Sequence, residues 1–243
     1  MRIFGLDISL RHFGFVELDD SGSVMNYFYM TDVKMFANAD SEHCLFYKPS
    51  KDLDRETEQF FRIGQIQQFL TSKIWPTGAF TVAVEDYGYA SQSTRFAEIA
   101  EQTGVVKNMF LIGGGCFRLY DPDSVKLFGT GNGHALKRDM VYALLRNTPN
   151  PGGGGFFPEA LIKKINKKIK NGKETVEEYD GPGTDLADAY WLAQLLRTEM
   201  LLRNGAVLMK DLPENQIRVF NRVTKAFPVN VLDRPFVRYV SSC

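Results

Sequence analysis

Two short apolar runs, each stopping on a carboxylate, most tightly limit what this chain can fold into. Ile3-Phe4-Gly5-Leu6 runs into Asp7, and Phe80-Thr81-Val82-Ala83-Val84 runs into Glu85-Asp86. Runs this short are read as strands rather than buried helices. The run at 80–84 has the character of a central strand covered on both faces. Gly14–Leu18 and Val24–Met30 read as further strands around the turn Asp19-Asp20-Ser21-Gly22, so the first three strands form an antiparallel meander. A helical stripe follows, beginning at Asp54, in Phe60, Ile63, Ile66, Leu70 and Ile74, ended by Trp75-Pro76 and Gly78. Ser93–Leu111 reads as another helix, closed by Gly113-Gly114-Gly115. Cys116–Tyr120 reads as a strand stopped by Asp121-Pro122, and Gly129-Thr130-Gly131-Asn132-Gly133 as a loop before a helix over 135–146. Three strands, then helix, strand, helix, strand, helix, is an α/β plan with a mixed five-stranded sheet flanked by helices.

Residues 149–183 read as an insertion. It opens on the flexible Gly152–Gly155 and closes on Gly181-Pro182-Gly183. Between them, Ile162, Ile165 and Ile169 share a helical face, with Lys163, Lys164, Lys167 and Lys168 covering the rest. Thr184 is placed to cap a helix whose apolar face is Leu186, Ala189, Ala193, Leu196 and Met200. Residues 31–53 show no period, and 204–243 offer only a candidate strand at 236–240. The expected organisation is one domain over 1–203 with its insertion, and a C-terminal extension, 204–243, packed on it.

With 44% hydrophobic and 24% charged residues the chain is an ordinary globular protein, which excludes disordered and low-complexity classes. Its formal net charge is zero, but between Lys126 and Lys173 ten Lys and Arg face only Asp139 and Glu159. A neutral protein with one basic third can bind a polyanion through that third. Three cysteines without a CxxC argue against a disulfide framework and fit a reducing compartment. His43 beside Cys44 is a poor chelate. Asp7 and Arg11 interrupt the apolar start, unlike a secretory signal, and no apolar run approaches a membrane span. A cytoplasmic protein is expected.

Asp7, Glu85 and the pair Asp185/Asp188, three apart on one helix face, put carboxylates where core elements end. A charged group ending a buried strand is costly without a partner. If a sheet gathers them, like-charge pairs at ~4 Å and an effective dielectric of ~20 repel by about 4 kcal/mol each. Either some carboxyls take up protons or divalent cations neutralise them. Oxygen-only ligands suit Mg²⁺ or Mn²⁺ rather than zinc, and two such ions can drive phosphodiester hydrolysis.

These residues also carry a family resemblance. Gly5-Leu6-Asp7-Ile8-Ser9-Leu10-Arg11-His12-Phe13-Gly14-Phe15 resembles the opening of RuvC-type Holliday-junction resolvases. Val82-Ala83-Val84-Glu85 resembles their second acidic strand, with Gly104-Val105 following at the family's spacing. Val125-Lys126, Gly129-Thr130-Gly131 and Lys137 resemble their two-lysine segment, and Thr184-Asp185-Leu186-Ala187-Asp188-Ala189 their closing acidic helix. The resemblance covers residues 1–30, 54–148 and 183–203. It implies an RNase H-like fold, a homodimer, and metal-dependent cutting of four-way DNA junctions. By position it makes Asp7, Glu85, Asp185 and Asp188 the catalytic acids holding two Mg²⁺ or Mn²⁺ ions, and Lys126 and Lys137 contacts to the scissile strand, with Arg11 among the DNA-binding residues. The family's junction-opening aromatic falls on Gly88, flanked by Tyr87 and Tyr89, either of which could stack on an unpaired base. The Lys-rich insertion, read as a DNA-tracking arm, and the last forty residues are additions to the compact bacterial form and would suit a phage or viral member, acting in the host cytoplasm.

Three rival readings compete with this one. An actin-like or sugar-kinase ATPase needs two such lobes and more chain. Ribonucleases H place their Glu on the first helix and an Asp on the central strand. Here Glu85 ends that strand and a DxxD pair comes last, the resolvase arrangement; a transposase-type nuclease belongs to the same rival class. A nuclease-dead junction-binding scaffold sits poorly with four retained acids. The Gly129–Gly133 loop lacks the Gly-Lys-Ser/Thr ending of a nucleotide-phosphate loop.

Overall fold

The computed structural model describes residues 2–9, 12–74, 80–86, 96–147, 159–168, 175–224 and 228–238. Strands β1 (Arg2–Ile8), β2 (Phe13–Leu18) and β3 (Val24–Thr31) form the expected meander, and β5 (Phe80–Glu85) and β6 (Cys116–Tyr120) join it in parallel with β1. The spatial order β3-β2-β1-β5-β6 is the mixed five-stranded RNase H-like sheet. Two short strands widen it to seven: β4 (Cys44–Phe46) beside β3, and β9 (Val237–Arg238) beside β6. The first comes from a segment with no readable period, and the second falls within the candidate strand at 236–240. Helix α1 (Lys34–Ala39) returns the chain so that β4 runs parallel to β3.

Helices α2 (Arg55–Ile74) and α3 (Phe96–Ile112) cover one face of the sheet over an aromatic core that includes Phe4, Phe15, Phe28 and Phe110. On the other face lies α6 (Pro182–Arg203), itself covered by α4 (Pro122–Thr130) and α5 (Lys137–Asn147). The sequence shows α6 as a one-faced amphipathic helix. The structure buries Tyr190, Trp191, Leu192 and Leu195 as well, because α4 and α5 pack over its outer side.

Three local expectations are corrected. Asp121-Pro122 ends β6 but also starts α4: Asp121 accepts a bond from the Ser124 N–H, Pro122 fills the first helical position, and Gly129-Thr130 belong to the helix rather than to a loop. Thr184 is not the cap of α6. Pro182 opens that helix after Gly181, and Thr184 lies inside its first turn, donating back to the Gly181 carbonyl at 2.9 Å. The lysine-rich segment is not a helix: Lys163–Lys168 is strand β7, antiparallel to β8 (Thr175–Asp180). The spacing of Ile162, Ile165 and Ile169 is helical, and over so short a window it does not decide. The ladder to β8 decides for the strand, because β8 is itself fastened to α5: the buried Glu178 accepts from the Arg138 N–H at 2.9 Å, and Tyr179 donates to the Tyr142 hydroxyl at 2.7 Å.

The C-terminal extension contributes α7 (Glu214–Phe220) against α4, with Phe220 in the core, and closes over a buried ionic network. Arg118 on β6 pairs with Glu199 of α6 at 2.6 Å and donates to the carbonyls of Arg234 and Pro235. Tyr120 and Arg203 also donate to Glu199. Among the described residues Cys44 and Cys116 are free thiols, and no helix is long and apolar enough to cross a membrane. The His43 ring is held by Asp40 at 2.9 Å and stacks on Tyr27, so it is a packing element.

Gly5 and Gly14 let α6 touch the sheet. A Cβ on Gly5 would lie 1.8 Å from the Ala189 carbonyl oxygen; one on Gly14 would lie 2.3 Å from the Asp185 carbonyl. Gly5→Ala is expected to lower the urea midpoint, with a loss of about 1–3 kcal/mol or more, because a rigid backbone faces the new methyl group. Gly64→Ala, in α2 with nothing within 4 Å of the added atom, is expected to raise it by about 0.4–1 kcal/mol. Equal effects of the two substitutions would refute the close-packing account.

Candidate active site

The parallel register sets Leu6 of β1 opposite Val84 of β5, so Asp7 and Glu85 leave adjacent strands at the same level. On its other side Asp7 is paired with Gly14 of β2. The missing side chain there admits the first turn of α6, which brings Asp185, and three residues on Asp188, to the same end of the sheet. Helices α4 and α5 bring Lys126 and Lys137 to it from the far side of α6.

The charges reflect the convergence. Burial, then Glu85, Asp185 and Asp188, hold the Asp7 carboxyl well above the usual carboxylate range. Glu85 is pushed up to about 8, first by burial and then by Asp188, against the opposing pull of Lys126 and Lys137. Burial lifts Asp188 to about 6, with Lys137 opposing and Asp185 adding to the rise. The Asp7 side chain adds a smaller pull that lowers Glu85. The Lys137 ammonium donates to Thr184 Oγ1 and Asp185 Oδ1, both at 3.1 Å, and Asp185 foremost raises its pKa.

Residues 7, 85, 185 and 188 therefore meet, with Lys126 and Lys137 facing them. Lys163 and Lys164 lie exposed on β7, with Lys164 3.4 Å from Glu177; Lys167 and Lys168 are paired by backbone register with Val176 and Thr175. Arg11, Tyr87, Gly88 and Tyr89 lie outside the described residues. Sequence reading missed Thr184 as the second anchor of Lys137, and Gly5 and Gly14 as the cause of the convergence. Glycine inside a strand is itself a signal of close backbone approach.

The donors are all oxygen, the set that hard divalent cations take. The buried Asp185 Oδ2 has no hydrogen-bond partner among the described residues, and the clustered carboxyls are held above their usual range, as expected of acids that lack cationic compensation. Among the described residues no three His, Cys, Asp or Glu are already set as ligands of one ion; instead Lys137 supplies the counter-charge at Asp185. The residue types fit Mg²⁺ or Mn²⁺, with a shift of Lys137 needed to free Asp185.

No protein-family model and no curated protein matches the sequence. Among solved structures, the chain is similar to a Thermus thermophilus RuvC structure, with 17% identity over 84% of this chain and 97% of that one and a TM-score of 0.47. It is also similar to T. thermophilus RuvC in complex with Holliday junction substrate, with 16% identity over 84% and 96% and a TM-score of 0.49. Likeness at this level concerns outline and does not bear on the reaction.

The raised carboxyls give stability a definite pH slope. Between about 4.5 and about 8 Glu85 holds a proton in the folded chain but not in the unfolded one, and Asp188 does so between 3.8 and about 6. Unfolding then releases protons, so stability falls as pH rises through this window. In EDTA the thermal midpoint is expected to drop from pH 5 to pH 8, and Glu85→Gln to flatten that drop. Parallel profiles for the two proteins would count against the cluster.

Proposed function

We propose that the protein is a metal-dependent, structure-selective endodeoxyribonuclease that resolves four-way, and other branched, DNA junctions by paired symmetric nicks. The observation that carries this reading is the meeting of four carboxylates and two lysines at one end of an RNase H-like sheet. Two Mg²⁺ or Mn²⁺ ions held by Asp7, Glu85, Asp185 and Asp188 would activate water and stabilise the leaving oxygen of the phosphodiester.

The chain's own groups do the rest. Asp7 and Glu85, whose protonated forms burial favours, would release their protons to solvent as the cations bind. Lys137 leaves Asp185 for a phosphate oxygen of the scissile strand, an exchange of one anion for another that costs the ammonium little, while Thr184 keeps it within reach. Lys126, whose charge acts on Glu85 and Asp188, meets the same strand. Arg11 joins these contacts, and Tyr87 or Tyr89 stacks at the opened junction centre. The β7 lysines 163, 164, 167 and 168 follow the DNA backbone, which positions the substrate without reading its sequence. A four-way junction is two-fold symmetric, so two symmetric nicks call for a homodimer.

Wild type, Asp7→Asn and Asp188→Asn, incubated with a synthetic four-way junction, duplex DNA and an RNA–DNA hybrid in Mg²⁺ or EDTA, test this. Paired nicks in the junction are expected from wild type in Mg²⁺ alone, leaving 5′-phosphate and 3′-hydroxyl ends. Each variant should lose ~10²-fold or more in rate, the size of several kcal/mol of transition-state charge stabilisation. Equal cutting of the hybrid would favour a ribonuclease, and unchanged rates in both variants would remove the acids from the chemistry.

A further inference from the structure

The C-terminal extension builds a separate polar surface beside the acids. A cleft of about 630 Å³ lies between the 131–134 turn and α7, lined by Asn132, His134, Arg218, Asn221, Arg222 and Asp123. Its place relative to the site is fixed by covalent and hydrogen-bonded links. Tyr120 is the β6 register partner of Glu85, and its carbonyl accepts from the Asp86 N–H at 2.8 Å. The next residue, Asp121, pairs with Arg222 at 3.2 Å, and Arg222 also reaches Asp123 and Ser124 in the first turn of α4. Lys126, which acts on Glu85 and Asp188, is one turn further along the same helix. The 131–134 turn itself joins the two helices that carry Lys126 and Lys137.

The wall sets donors on a fixed frame beside Leu127, Val223 and the Asp123 carboxylate, which Arg222 meets. Asn132 is held by Thr130, and its side-chain oxygen accepts from the His134 N–H, which leaves its amide nitrogen to donate outward. Asn215 ties α7 to the carbonyls of Leu127 and Phe128, so the two walls cannot part freely. Arg222 is spent on Asp121 and Asp123. Arg218 is exposed and makes no ion pair among the described residues, so it is the cleft's uncompensated cation. Gly131 and Gly133 put no side chain on the rim. Neutral donors, one free guanidinium and an open rim suit a phosphodiester backbone, whose oxygens accept and whose charge Arg218 meets.

Building on the nuclease reading, we infer that this cleft binds the phosphate backbone of the DNA arm flanking the cut, so that the extension supplies a binding subsite rather than only a packing element. The test is junction affinity measured across a salt series for wild type, Arg218→Gln, Arg218→Glu and Lys210→Glu, the last an exposed residue of the same extension outside the cleft. All are compared in an Asp188→Asn background to prevent cutting, with Asp188→Asn alone as the parent. Arg218→Glu should weaken junction binding on the order of 10-fold. Arg218→Gln should reduce the slope of log affinity against log salt by ~0.9, the value for one lost phosphate contact. Lys210→Glu should leave both near the parent's values. Arg218 variants that match Lys210→Glu overturn the cleft while leaving the nuclease reading intact. A protein that binds no DNA and, with Asp188 restored, cuts none overturns both.

Discussion

The contact between α6 and the β1–β2 hairpin governs everything else in this molecule. A helix normally stands off a sheet by the depth of the side chains between them. Here Gly5 and Gly14 remove that layer at two points one helical turn apart, and the helix backbone rests on the strands. Gly14 is the ladder partner of Asp7 and lies under Asp185. One absent side chain therefore sets the separation between an acid of the sheet and an acid of the helix. The remaining geometry follows from ordinary parallel pairing, which places Glu85 beside Asp7.

That closeness carries an electrostatic cost. Four carboxyls gathered at the end of a buried sheet repel one another, and the chain offsets the repulsion in two ways. Asp7 and Glu85 are raised so that protonation removes part of the charge, and Lys137 lends its ammonium to Asp185. Both devices are reversible, since a proton leaves as pH rises and a flexible lysine can exchange one oxygen partner for another. A fixed arginine fork in the same place would have been a structural salt bridge. Lys137 is instead half exposed, on a stem long enough to follow a different anion.

How much of this is legible in the sequence follows from the range of the interactions involved. The strand cores, the α2 stripe from Ile63 to Ile74 and the spacing of Asp185 from Asp188 are local patterns, and they read correctly; Phe60, the first residue of that stripe, is exposed instead. The acids can be nominated because a carboxylate ending an apolar run is locally anomalous. The β7–β8 hairpin does not read, because Ile162, Ile165 and Ile169 follow helical spacing and the deciding ladder comes from a partner strand further along the chain. Helix α4 is hidden because Asp121-Pro122 signals a strand end and a helix start in the same letters. The burial of α6 on all sides depends on α4 and α5, which no pattern within residues 182–203 records. Thr184 resembles a cap because a threonine near a helix start usually is one; Pro182 moves the start ahead of it.

The same long-range dependence explains why residues after 204 carry little readable pattern beyond the strand at 236–240 and yet are integral. Glu199 sits fully buried on α6, where it holds Arg118, Arg203 and Tyr120 at once. Arg118 has donors left over, and the carbonyls that take them belong to Arg234 and Pro235, while Phe236 lies across both guanidinium groups at 4.3 and 5.1 Å. Without the extension those donors would be buried and unmet, a cost that falls on the far end of α6. The helix is thus fixed twice, by glycine contacts at the end that bears the acids and by an ionic lock at the other. A rigid rod held at both ends cannot tilt, so the lock near Glu199 helps determine where Asp185 and Asp188 stand.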